Sequence, residues 1–227
     1  MPTSPRHPPK PVEPKVQTHL QDHALPVATC VMGLDLSLTS TALTIFIAGQ
    51  AVTKRFAPGS LRGLARLAWL RDQIVTEVLR YQAQLIVIEG YSFGSANSHA
   101  HSLGELGGII KLTLGQIGVP MAIAAKGCWL KAITGSGASK GKGTGALELF
   151  KRFGIELPQD DMADSASLAV VAGMLTGQIT PPTKDHAAGL AKIEYVAPLP
   201  LPKVRERARP NPPENPPEKS ATGLQMA

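Results

Sequence analysis

The chain is short of aromatic residues, of cysteine and of long apolar runs, and each shortage excludes something. Aromatics make up 4% of its 227 residues. None accompanies the basic run KVRERAR at 203–209, so that run reads as a solvated linker slightly ahead of an arm for nucleic acid. Only two cysteines occur, Cys30 and Cys128, each beside apolar residues. Without a CxxC or a Cys/His cluster a structural zinc site is not expected, and buried free thiols in a reducing cytoplasm are expected. No apolar run approaches the ~20 residues that a membrane span needs. The first residues, MPTSPRHPPKPVEPK, lack the apolar stretch of a secretory signal, so a cytoplasmic protein without membrane contact is expected.

Proline is almost missing from the middle. Of 20 prolines, seven lie in residues 1–26 and ten in 181–227, leaving Pro58, Pro120 and Pro158 between. Such proline density does not sustain helices or central strands. The expected organisation is a disordered tail over 1–28, a folded domain over 29–179 and a proline-rich basic tail over 180–227. With 43% hydrophobic and 18% charged residues, the domain can bury a core. A net charge of +6 permits an anionic partner without establishing one.

Within the domain, residues 29–37 and 41–48 read as a hairpin turning at Ser37–Ser40, and 51–57 as a third strand. Ser60 is expected to cap a helix whose Leu64, Leu67, Ala68, Ile74, Val75 and Val78 follow helical spacing. QLIVIEGY at 84–91 has the length and continuous apolarity of a strand covered on both faces. A glycine-loaded helix over 102–118, a buried strand over 119–125 and helices at KGCWLKAIT, GALELFKRFG and 160–177 complete the order. That order predicts an α/β fold: a mixed five-stranded sheet with helices on both faces.

Acids interrupt this apolar pattern. Asp35 sits inside the first strand, where an unpaired carboxylate costs several kcal/mol or is neutralised. Glu89 ends the run LIVIE, and Asp161 and Asp164 are spaced to share one face at the start of the last helix. Singly, each reads as well as a cap or a solvent-facing strand end. Together they are four hard-oxygen donors suited to Mg²⁺ or Mn²⁺.

The motifs carrying these acids resemble those of RuvC-type Holliday-junction resolvases, over roughly residues 30–177. GLDLS is similar to the family's first-strand motif, LIVIEGYSFG to its glutamate strand and DMADSASLA to its closing helix. VPMAIAAKGCWLKAITGSGASK follows the family's strand and lysine-containing segment. The resemblance implies a ribonuclease H-like fold and catalytic, metal-binding roles for Asp35, Glu89, Asp161 and Asp164. It implies two ions per site, with Asp35 bridging them. Lys131 and Lys140 fall where the family carries DNA-contacting or catalytic lysines, and Tyr91 and Phe93 stand near its DNA-wedging aromatic. The proline-rich tails have no counterpart in the compact family domain, which would fit a phage-encoded version.

The implied activity is metal-dependent resolution of four-way or branched DNA by paired hydrolysis of phosphodiester bonds. Paired cuts imply a twofold homodimer. The helix over 102–118 is a candidate interface, because Gly104, Gly107, Gly108 and Gly115 are costly in a helix unless something packs on them. Packing against the chain's own sheet accounts for them equally well. His99 and His101 read as solvated loop residues ahead of phosphate contacts. GSGASKGKGTG misses the Walker spacing, and about 150 folded residues supply only one of the two domains of an actin-like ATPase or sugar kinase. The alternatives are a YqgF-like nuclease acting on ribosomal RNA precursors and a catalytically silent junction-binding protein.

Overall fold

A computed structural model of the chain describes residues 30–91, 99–137, 144–157 and 162–200. Three antiparallel strands come first: β1 (Val31–Asp35), β2 (Thr41–Ile47) and β3 (Gln50–Phe56). Helix α1 (Gly63–Tyr81), β4 (Leu85–Glu89), α2 (His99–Gln116) and β5 (Met121–Ala124) follow. Four further helices are α3 (Lys126–Thr134), α4 (Thr144–Phe153), α5 (Ala163–Leu175) and α6 (Lys184–Leu190), and β6 (Glu194–Val196) closes the order. The sheet runs β3-β2-β1-β4-β5-β6, with β1, β4 and β5 parallel. Among the described residues no helix is long and apolar enough to cross a membrane.

Each turn has a local cause. Between β1 and β2, the Ser37 hydroxyl accepts from the Thr39 and Ser40 backbone N–H groups, and Thr41 Oγ1 donates to Ser37 O at 2.7 Å. Between β2 and β3, Ala48 and Gly49 both take positive φ, the twist a two-residue hairpin requires.

Two layers of helix cover the sheet. Helices α1 and α2 bury Leu67, Leu70, Ile74, Leu106, Ile110 and Leu114 against Met32, Leu34, Ile86 and Ile88. On the other face α3, α4, α5 and α6 pack over Val31, Leu85, Val87 and Ala122. Helix α5 is buried on nearly every side, so its sequence reads as apolar throughout rather than amphipathic.

Three expectations need correction. The helix after β3 begins at Gly63 with Arg62 at its cap position, not at Ser60, and Leu64 in its first turn is 81% exposed rather than part of the core. The sheet has six strands, not five. Its extra strand belongs to a segment expected as tail: residues 183–196 fold onto the domain. Thr183 accepts from the Asp185 backbone N–H and so caps α6, His186 and Leu190 are buried, and β6 pairs antiparallel with β5. A Cβ at Gly189 would lie 2.4 Å from the Ala132 backbone nitrogen, so glycine alone lets α6 cross α3 this closely. Pro181 and Pro182 lie in the short link between α5 and α6. Residues 1–28 and 201–227, expected as tails, lie outside the described residues, as does residue 29.

Candidate active site

Strand geometry decides where the acids go. Alternate side chains leave opposite faces of a strand. Val31 therefore shares a face with Gly33 and Asp35, and Leu85 with Val87 and Glu89, both facing α5. The parallel register pairs Leu34 with Ile88, which sets Asp35 and Glu89 side by side at the carboxyl ends of adjacent strands. In open α/β sheets that edge is where ligands bind.

Asp164 comes from the first turn of α5, where the positive end of the helix dipole favours a carboxylate. What brings it to the strands is Gly33. A Cβ there would fall 2.1 Å from Ser165 O and 2.2 Å from Ala169 N, so the α5 backbone rests directly on β1. Hydroxyls of β2 and β3, the first of them buried, fix the same contact. Thr44 Oγ1 lies 2.9 Å from Ser165 Oγ and 2.8 Å from Thr53 Oγ1, and the Ser165 hydroxyl also reaches Met162 O at 3.0 Å. The result is a cluster: one oxygen from each of Asp35, Glu89 and Asp164 lies within 4.8 Å of the others.

These acids are half-buried and electrostatically strained. Burial, then the charge of Asp164, pushes the Asp35 carboxyl up to about 6, against an opposing pull from Lys126. Burial, then the charge of Asp35, pushes Glu89 up to about 7, again opposed by Lys126. The buried Trp129 indole also lowers Glu89 slightly, although its Nε1–H has no well-formed hydrogen bond. Lys126, first residue of α3, sets its Nζ 3.6 Å from Asp164 Oδ2 and 5.7 Å from the Trp129 ring centre. Three hard oxygen donors, two held above their ordinary pKa partly by mutual repulsion, suit a divalent cation.

The structure thus brings together Asp35, Glu89 and Asp164 of the sequence-predicted set. Asp161, Lys140 and Phe93 lie outside the described residues, as does the side chain of His99. Lys131 is half-buried on α3, and His101 is exposed on α2. Tyr91, 41% exposed, seats its hydroxyl on α2, where it donates weakly to the Leu103 and Gly104 carbonyls at 3.4 Å. A Cβ at Gly107 would collide with that hydroxyl, and Lys111 Nζ sits 5.0 Å from the ring centre.

Two of the costly glycines are therefore explained within the chain. Gly107 makes room for Tyr91, and Gly115 lies under Leu199, whose N–H donates to Gly115 O at 3.1 Å. Around Gly104 and Gly108, apart from their own helix, no described atom lies within 4 Å of an added Cβ.

Sequence reasoning missed Lys126, Trp129 and Gly33. A glycine amid buried strand residues signals close backbone approach. A lysine heading a helix directly after a buried strand sits against the dipole, and that misfit was also readable. Trp129 gave no such signal.

No protein-family model matches the chain, and no curated protein matches it in sequence. Solved structures do match. RuvC of Thermus thermophilus superposes with a TM-score of 0.57 at 16% identity, over 74% of this chain and 100% of that one. The same organism's RuvC in complex with Holliday junction substrate gives 0.57 and 16%, over 74% and 99%. The chain therefore has the ribonuclease H-like fold of the RuvC-type resolvases.

Proposed function

We propose that the protein is a metal-dependent endonuclease that resolves branched DNA, four-way junctions foremost. The observation that carries this reading is the convergence of Asp35, Glu89 and Asp164 from three separate elements at the carboxyl edge of a RuvC-type sheet. A cluster that only capped a helix would not recruit two strand acids.

In this reading Asp35, Glu89 and Asp164, with Asp161 from the neighbouring segment, hold Mg²⁺ or Mn²⁺, two ions per site. Ions bound there supply Lewis acidity for phosphodiester hydrolysis. The chain's own residues do the rest. Asp35, on the strand that pairs with β4 and carries α5, would hold metal together with both of the other acids. The Gly33 contact holds the start of α5, and with it Asp164, against the strand acids. Lys131 grips the DNA backbone, Lys140 neutralises charge developing at the phosphate, and Tyr91 and Phe93 meet the junction bases.

Two matched cuts call for a homodimer. Its support here is the outer face of α2, where Gly108 is exposed, an added Cβ at Gly104 or Gly108 would meet no other described element, and Leu112 is 55% exposed. The proline-rich stretches 1–28 and 201–227 would then be appendages to this nuclease.

The test is cleavage by the full chain in Mg²⁺ of a four-way DNA junction, a flap, plain duplex and structured RNA. The reading predicts cuts in the junction at least tenfold faster than in duplex, placed symmetrically on opposing strands. Preferred cutting of structured RNA would replace it with an RNA nuclease, and tight junction binding without any cut would leave only a binding protein.

A further inference from the structure

Lys126 occupies an unfavourable place by helix electrostatics alone. It heads α3, where backbone N–H groups carry positive partial charge. Its helix has no acidic residue in the first turn, and Ala125 offers no side-chain cap. The compensation comes from Asp164 Oδ2 on α5, at 3.6 Å, and from the Trp129 ring of the same helix, over which the ammonium lies. The lysine side chain nevertheless remains 58% exposed, and Asp164 38%. The pair is in contact but not enclosed, so the ammonium can leave without disturbing the core.

Charge counting gives the consequence. With all three carboxylates ionised the cluster carries three negative charges, and Lys126 offsets one of them. A divalent cation drawn to the same oxygens competes with that ammonium at Asp164. We propose that Lys126 is the cluster's built-in competing cation: divalent ions displace it from Asp164, and the released ammonium turns to a phosphate of the bound nucleic acid. The inference rests on the metal-site reading above and makes Lys126 a positioning residue. It sets how tightly the acids take metal, and it links metal uptake to grip on the substrate.

The experiment is Mn²⁺ binding to the full chain by calorimetry, for wild type, Lys126→Gln, Asp164→Asn and the double variant. Lys126→Gln should bind Mn²⁺ about two- to fivefold tighter, the range an exposed ion pair supports. In the Asp164→Asn background the same change should have no effect, because the shared oxygen is gone. In Ca²⁺, Lys126→Gln should bind a four-way junction more weakly, with a salt slope lower by about one. Mn²⁺ affinity unchanged or weakened in Lys126→Gln would overturn the proposal, as would an equal tightening in the Asp164→Asn background or an unchanged salt slope. Absence of Mn²⁺ binding in both wild type and Lys126→Gln would also overturn it. Wild type that binds Mn²⁺ with this pattern but cuts no nucleic acid would sink the nuclease reading alone.

Discussion

The two faces of the sheet come from the same strands and differ in almost everything else. Toward α1 and α2 the buried side chains are apolar, with Leu34, Leu43, Ile45, Leu70, Ile74 and Ile110 among them. Toward α5 the same strands present Gly33 against bare backbone, Thr44 and Thr53 in a hydroxyl chain, and Asp35 and Glu89 at the end. The first face can absorb volume changes by rotamer adjustment, as apolar cores do. The second is also largely apolar, but it is further fixed by the backbone contact at Gly33 and the Thr44–Ser165 hydrogen bond, and it ends at the acids. Period-two alternation is what allows one strand to serve both purposes.

The largest break in that contrast should come from Gly33→Ala. Its Cβ would meet backbone atoms of α5, which no rotamer change relieves, so a loss of roughly 3 kcal/mol or more is expected. Gly108→Ala, in open space on α2, should instead gain up to about 1 kcal/mol from helix propensity. Urea midpoints compare the two. Equal effects would mean that α5 does not rest on β1 as described. Sedimentation of Gly108→Ala beside wild type adds the oligomeric state, and a weakened dimer there would mark the outer face of α2 as the interface.

A smaller effect should appear in the pH dependence. Folded Asp35 and Glu89 titrate at about 6 and 7, against ordinary values of 3.8 and 4.5. The folded chain therefore holds more protons than the unfolded chain between about pH 4 and pH 7, and stability falls as pH rises through that window. Discounted for partial exposure, each carboxyl costs about 1–2 kcal/mol at the upper end. Melting in EDTA should drop by roughly 5–10 °C from pH 4.5 to pH 7.5. Asp35→Asn should remove a large part of that drop, and Mg²⁺ should flatten it by binding the ionised acids. A melting temperature that climbs with pH in EDTA would show that the carboxyls are not strained in the folded chain.

Much of the α5 face was legible in the sequence. Asp35 and Glu89 stood out because each is a carboxylate closing an apolar strand, and the order of elements followed from apolar runs and their periods. Asp164 was legible as a helix-start acid, but only packing at Gly33 shows that it meets the strands. The resemblance points to Lys131, whereas the place of Lys126 beside the acids is not legible, because sequence spacing does not say that the head of α3 abuts the end of β4. Helix α6 and β6 were hidden behind Pro181 and Pro182, although Thr183 two residues before Asp185 is a capping signal in its own right. Leu64 failed in the opposite direction: it fits the helical spacing yet is exposed in the first turn of α1.

The central claim is that three converged carboxylates hold the metal that cuts junction DNA. The most direct measurement is single-turnover cleavage of a four-way junction in Mg²⁺ by wild type, Asp35→Asn and Glu89→Gln, with binding measured in parallel in Ca²⁺. Both variants should bind the junction within about threefold of wild type, since grip comes from basic residues. Both should cut at least about a thousandfold more slowly, and EDTA should stop the wild type. Cleavage at the wild-type rate in either variant, or undiminished in EDTA, would contradict the account.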